Sequence, residues 1–77
     1  KIDFYPNPVI DNLFFELDEM TPNPIKISLV AVLGQTIKEF TLDFATRVIN
    51  ISDINPGAYI LRIQHGSNIS SRKIIKI

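Results

Sequence analysis

The sequence predicts an all-β protein, an antiparallel β-sandwich of about seven short strands. Three observations predict it. First, the 77 residues include fourteen Ile, four Val and four Thr against three Ala and one Met. β-Branched side chains suit a pleated, half-buried surface and lose rotamer freedom in helices, where Ala and Met do well. Second, apolar residues alternate with polar ones in short runs, and no stretch carries the 3.6-residue period of a helix. Third, Pro, Gly and Asn punctuate these runs at intervals of roughly 8–12 residues, the spacing found in immunoglobulin-like sandwiches.

Residues 1–5 read as a brief first strand, ended by Pro6 and Pro8, which lack the N–H that a ladder needs. Over residues 12–17, Leu13, Phe15 and Leu17 share one face and Phe14 takes the other. Residues 18–24 hold two acids and two prolines and read as a loop. Over residues 25–32, Ile25, Ile27, Leu29 and Ala31 point one way and Lys26 and Ser28 the other; Leu33-Gly34-Gln35 then turns the chain. Residues 36–42 break the period of two, since Ile37 is odd and Phe40 and Leu42 are even. That fault predicts a bulge near Lys38 and Glu39.

Residues 46–52 form the next strand, with Ile49 and Ile51 inward. Asn55-Pro56-Gly57 places Pro and then Gly at the centre of a type II turn, with Gly57 at positive φ. Over residues 58–65, Tyr59, Leu61 and Ile63 face in and Arg62 and Gln64 face out. The position of Tyr59, two residues after Gly57, resembles a tyrosine corner, whose hydroxyl caps backbone near a loop. His65-Gly66-Ser67-Asn68 is a hairpin loop, and residues 69–77 form a last strand decorated by Arg72, Lys73 and Lys76.

Composition narrows the function. A chain this short buries about 60–65% of its unfolded surface, enough for one domain with one modest core. Residues 1–77 are therefore read as a single domain, and a start at Lys1 rather than Met reads as a piece excised from a longer protein. Eight basic and eight acidic residues balance to zero, leaving no footprint for nucleic acid or anionic lipid. No run of about 18 apolar residues is present to insert in a membrane as a helix. With no Cys, disulfides, thiolate metal sites and a Cys nucleophile are excluded.

No catalytic constellation emerges. His65 is the only histidine and sits beside Gly66, where a solvated turn residue is the expected role. Asp18 and Glu19 are the only adjacent carboxylates, and neighbours on an extended chain point apart. Asp53-x-Asn55 only faintly resembles a calcium motif and is better explained as turn chemistry before Pro56. Gly34, Gly57 and Gly66 are too dispersed for a phosphate cradle. Asn50-Ile51-Ser52 and Asn68-Ile69-Ser70 match the glycosylation pattern at about the frequency chance gives. The expectation is a non-enzyme, with no catalytic residue, metal site or cofactor, whose function lies in its surface or terminus.

Four motifs then add a resemblance. Phe4-Tyr5-Pro6-Asn7-Pro8 opens the chain, Leu33-Gly34-Gln35 follows a central strand, Ile54-Asn55-Pro56-Gly57-Ala58-Tyr59 precedes another, and Lys73-Ile74-Ile75-Lys76-Ile77 closes it. Together, in this order, they resemble the C-terminal sorting domain of the type IX, or Por, secretion system over essentially the whole chain. Gln35 stands where that family more often has Lys, and Ile54 where it more often has Leu. The resemblance implies a C-terminal export signal recognised by the type IX machinery at the Gram-negative outer membrane. It also implies an upstream cargo carried through the periplasm to the cell surface or medium, with the domain cut off by a sortase-like surface peptidase.

The resemblance makes Pro6, Asn7, Pro8, Gly34, Gly57, Tyr59, Lys73, Ile74, Ile75, Lys76 and Ile77 the candidate recognition residues. Pro6 and Pro8 have a second reading as plain turn residues, and Gly57 and Tyr59 as builders of the fold. The last strand either offers unpaired edge backbone to a partner or completes the core. A different function also fits a small β-module: an immunoglobulin-like accessory module that braces an adjacent catalytic domain or binds carbohydrate through Phe14, with Phe40 or Phe44. Open edge strands would also allow a dimer in vitro.

Overall fold

A computed structural model describes residues 2–18 and 24–77. The described residues form seven strands and no helix: β1 (Ile2–Tyr5), β2 (Asn12–Leu17), β3 (Ile25–Ala31), β4 (Thr36–Leu42), β5 (Val48–Asn50), β6 (Gly57–His65) and β7 (Asn68–Lys76). They build two antiparallel sheets, one ordered β1-β2-β5 and the other β4-β3-β6-β7. The all-β sandwich expected from the sequence is the architecture found. In the constant-type immunoglobulin arrangement the fourth strand joins the sheet of the first, second and fifth. Here β4 pairs with β3 instead, giving a three-on-four sandwich.

Alternation explains which faces meet. Ile25, Ile27 and Leu29 of β3 lie opposite Leu42, Phe40 and Lys38 of β4. On the other side of β3, Ile27 and Leu29 pair with Ile63 and Leu61 of β6. Tyr59 of β6 in turn faces Ile74 of β7. From the smaller sheet, Ile2, Leu13, Phe15 and Ile49 complete the core, with Val9, Ile51 and Ile54 closing it from the connections. Phe14 faces solvent and stacks on Tyr5 across the strand pair, at 5.6 Å between ring centroids.

Several local expectations are refined. The bulge exists, but the register shifts between Leu29↔Lys38 and Val30↔Thr36, so Ile37 is the extra residue. Lys38, Phe40 and Leu42 then keep one face and Ile37 is left exposed. The fifth strand is only three residues long. The hydrogen-bonded turn before β6 runs from Ile51 to Ile54, whose N–H donates to the Ile51 carbonyl at 3.0 Å, rather than being centred on Pro56 and Gly57. Gly57 does have positive φ, at 153°, but it is the first residue of β6. A type II turn would need a φ near +80° there.

Gly66 and Ser67 alone link β6 to β7. Gly66 has a φ of 60° and no described non-glycine residue, Ser67 included, has positive φ, which is the pattern of a type II′ hairpin. His65 is the last residue of β6, half-buried, with its Nδ1 buried and without a hydrogen-bond partner, rather than a solvated loop tip. The expected loop over residues 18–24 and the Asp18-Glu19 pair fall largely outside the described residues, as does Lys1.

Candidate functional site

The candidate residues from the four motifs gather at one end of the four-stranded sheet. Register places them: Ala31, at the end of β3, lies opposite Tyr59 near the start of β6, and Tyr59 lies opposite Ile74 near the end of β7. The β3–β4 turn, the start of β6 and the end of β7 thus share that end. Adjacent strands are about 4.8 Å apart, so the turn and β7 are separated by about 10 Å across the sheet.

β7 is an edge strand, and its last residues are sealed by the segment after β1. Val9 forms a parallel bridge to Lys76. Its N–H donates to the Ile75 carbonyl at 2.8 Å, and its carbonyl accepts from the Ile77 N–H at 2.9 Å. In a continuous parallel ladder, the backbone of residue 7 would accept from Ile75 and donate to Lys73. The Asn7 side chain does both instead. Its Oδ1 accepts from the Ile75 N–H at 3.0 Å and its Nδ2 donates to the Lys73 carbonyl at 3.1 Å. A primary amide carries one acceptor and one donor group side by side, as a peptide unit does. Asn7 therefore continues the ladder between two prolines that have no N–H to offer. The Tyr5–Pro6 and Asn7–Pro8 bonds are both cis.

The other candidates divide by environment. Ile74 is fully buried in the core. Lys76 faces inward and is only 6% exposed, with its Nζ donating to the Ile77 carbonyl at 2.7 Å. It is not the surface decoration that the sequence suggested. Lys73, Ile75 and Ile77 remain exposed. Tyr59 donates its hydroxyl to the Asn55 carbonyl at 2.5 Å, four residues upstream, which is the tyrosine corner expected from the sequence. Gly34 has a φ of 99° and its N–H closes the turn on the Ala31 carbonyl at 2.8 Å. A Cβ there would meet nothing within 4 Å, so the backbone conformation alone calls for glycine. Beside it, Val32 and Leu33 are 72% and 87% exposed.

Sequence reasoning missed Val9, which is completely buried and carries half of the edge seal. Its signal was available: a β-branched residue directly after the second proline, where the chain was read only as a stop. The role of the Asn7 side chain had no such signal, because it depends on a strand 66 residues away.

Among the described residues, no cluster of three or more His, Cys, Asp or Glu is placed to hold a metal ion. Asp53 has its pKa lowered, first by the hydrogen bond from Lys38 and then by the charge of that ammonium, whose Nζ lies 2.7 Å from Oδ2. This pair ties β4 to the β5–β6 connection, directly before the Ile54–Tyr59 motif. A groove of about 380 Å³ on the outer face of the small sheet is lined by Tyr5, Phe14, Arg47 and Val48 among others.

Compared with known proteins, the chain matches the family described as the secretion system C-terminal sorting domain over residues 3–77. No curated protein matches it.

Proposed function

Because this chain belongs to the family of secretion system C-terminal sorting domains, the sorting signal of type IX secretion, we propose that its machinery reads the end of the four-stranded sheet where Asn7 clasps β7. Proteins carrying this signal are exported to the cell surface or the extracellular space, and the family is not a catalytic one. The chain interacts with the type IX machinery as its passenger's address.

The clasp is the observation that carries the proposal. It joins the two motifs that lie farthest apart in the chain into one surface, through four hydrogen bonds of 2.8–3.1 Å. On this reading the exposed members, Pro6, Pro8, Lys73, Ile75 and Ile77, are read directly. Gly34, Gly57, Tyr59, Ile74 and Lys76 hold the surface in shape, and Asn7 welds its two halves together. Val32 and Leu33 add exposed apolar area at the same end, as a docking surface requires.

Residues 1–77 form one sorting domain at the C-terminal end of a larger secreted protein, the translocon binds it folded, and a sortase-like surface peptidase cuts upstream of Ile2. The test is export of a periplasmic reporter fused through a linker to residues 1–77, in a bacterium with a working type IX system. The intact fusion should reach the surface or medium, and the same fusion lacking residues 73–77 should stay in the periplasm. Circular dichroism of the truncated chain separates lost recognition from lost folding. Export of a folded truncation would refute the role of the end strand.

A second reading rests on the stacked, exposed Tyr5–Phe14 pair beside the small-sheet groove, a platform of the kind that packs on sugar rings. Retention of the intact fusion together with glycan binding lost in Phe14→Ala would favour it.

A further inference from the structure

The edge of β7 is only half sealed, and the open half has a definite chemistry. Within β7, the outward-facing backbone belongs to odd-numbered residues, since Lys73, Ile75 and Ile77 all bond to Asn7 or Val9 rather than to β6. The same parity turns the N–H and C=O of Ile69 and Ser71, and the N–H of Lys73, away from β6. Among the described residues no strand pairs with this stretch. A row of outward N–H and C=O groups is complementary to one thing above all, the backbone of another extended chain.

Three cations surround this row. Arg62, opposite Ser71, and Lys73, opposite Ile60, lie on the outer face, while Arg72, opposite Leu61, lies on the other face and is nevertheless exposed. None of these three belongs to the ion pairs formed between described residues, Lys26–Glu39 and Lys38–Asp53. The three cations favour an acidic occupant and oppose a second copy of this chain, which would bring the same charges to the same edge.

We propose that the segment from Ile69 to Lys73 is a docking edge for an acidic extended peptide segment of a partner protein, added as a further strand that stops where Asn7 begins. The identity of that partner as part of the secretion machinery rests on the proposed function above; the strand-addition chemistry does not. The Asn7 clasp gives the edge a fixed end and thereby a register. Ser71 is its centre.

The position of Ser71 allows a selective block. Proline at an outward-facing edge position removes a donor without breaking the ladder to β6, whereas Ser70 bonds inward opposite Ile63. The test is titration of the ¹⁵N-labelled chain with the acetylated, amidated hexapeptide Val-Glu-Val-Glu-Val-Glu and with its Val-Lys counterpart. The Glu peptide should shift the amides of Ile69, Ser71 and Lys73 and bind at least about tenfold more tightly than the Lys peptide, as charge complementarity requires. Ser71→Pro should keep a dispersed, folded spectrum and lose the binding; Ser70→Pro should damage the β6–β7 ladder. Absence of shifts at these amides, equal affinity for both peptides, or concentration-dependent shifts without peptide that reveal self-association would each overturn the proposal. In the reporter fusion, export of the Ser71→Pro form as efficiently as the intact form would exclude this edge from sorting. Retention of the intact fusion would count against sorting itself and leave the titration to decide the edge.

Discussion

Replacing Asn7 by Ala removes two hydrogen bonds and little else. The side chain is exposed, so the transfer of apolar area is minor, and the deleted groups are the 3.0 Å bond to the Ile75 N–H and the 3.1 Å bond to the Lys73 carbonyl. Each such bond contributes about 0.5–1.5 kcal/mol net. Water can reach the freed partners, so the lower half of that range applies and the variant should lose about 1–2 kcal/mol. For a domain of this length that shifts Tm by about 4–8 °C for each kcal/mol. Asn7→Asp keeps the acceptor but turns the donor into an oxygen facing the Lys73 carbonyl, so it should lose the second bond and gain a repulsion. Thermal melts measure the total. Amide hydrogen exchange locates it, because the Ile75 N–H should lose protection beyond what the global change explains. A Tm unchanged within about 1 °C, well below the shift expected for this ΔΔG, together with an Ile75 amide as protected as before, would refute the idea that Asn7 continues the ladder.

Tyr59→Phe removes one hydroxyl bond to Asn55 while keeping the ring, and should cost about 1 kcal/mol in urea denaturation with an unchanged m-value. Leu61→Ala empties a fully buried site at the centre of the larger sheet and should cost about 2–5 kcal/mol, read as a lower urea midpoint. The Lys38–Asp53 pair gives a pH dependence of known sign. A lowered carboxylate pKa in the folded state contributes stability above the unfolded pKa and loses it as pH falls through the folded value. Asp53→Asn should therefore leave stability nearly unchanged relative to the native chain at acid pH and remove a small advantage at neutral pH. A larger difference at acid than at neutral pH would contradict the assignment.

The sequence pattern made the strands legible because a period of two records which side of the pleat is dry. Leu13 and Phe15, Ile25, Ile27 and Leu29, and Leu61 and Ile63 all bury as that pattern requires. The tyrosine corner was legible for a similar reason, since Gly57 and Tyr59 sit two residues apart in one short segment. Interactions between distant segments left no such record. Nothing local in Asn7 announces that its amide will substitute for a peptide unit beside Ile75. Lys76 was misread because a lysine usually marks solvent, whereas here its ammonium reaches the Ile77 carbonyl at the rim of the core. The bulge was detectable as a break in period, but the break alone does not say which residue is extra. The candidate site was thus visible as four scattered motifs and became one surface only through register.

The clasp also has a mechanical side. The stretch from Asn7 to Val9 runs parallel to β7, and its bonds lie across the strand direction. A pull along the polypeptide from the β1 side can strip that short edge strand from β2 pair by pair, like opening a zip. It then reaches a place where four bonds are loaded in shear together. The same four bonds that close the edge would therefore also be the ones that carry a load applied along β7.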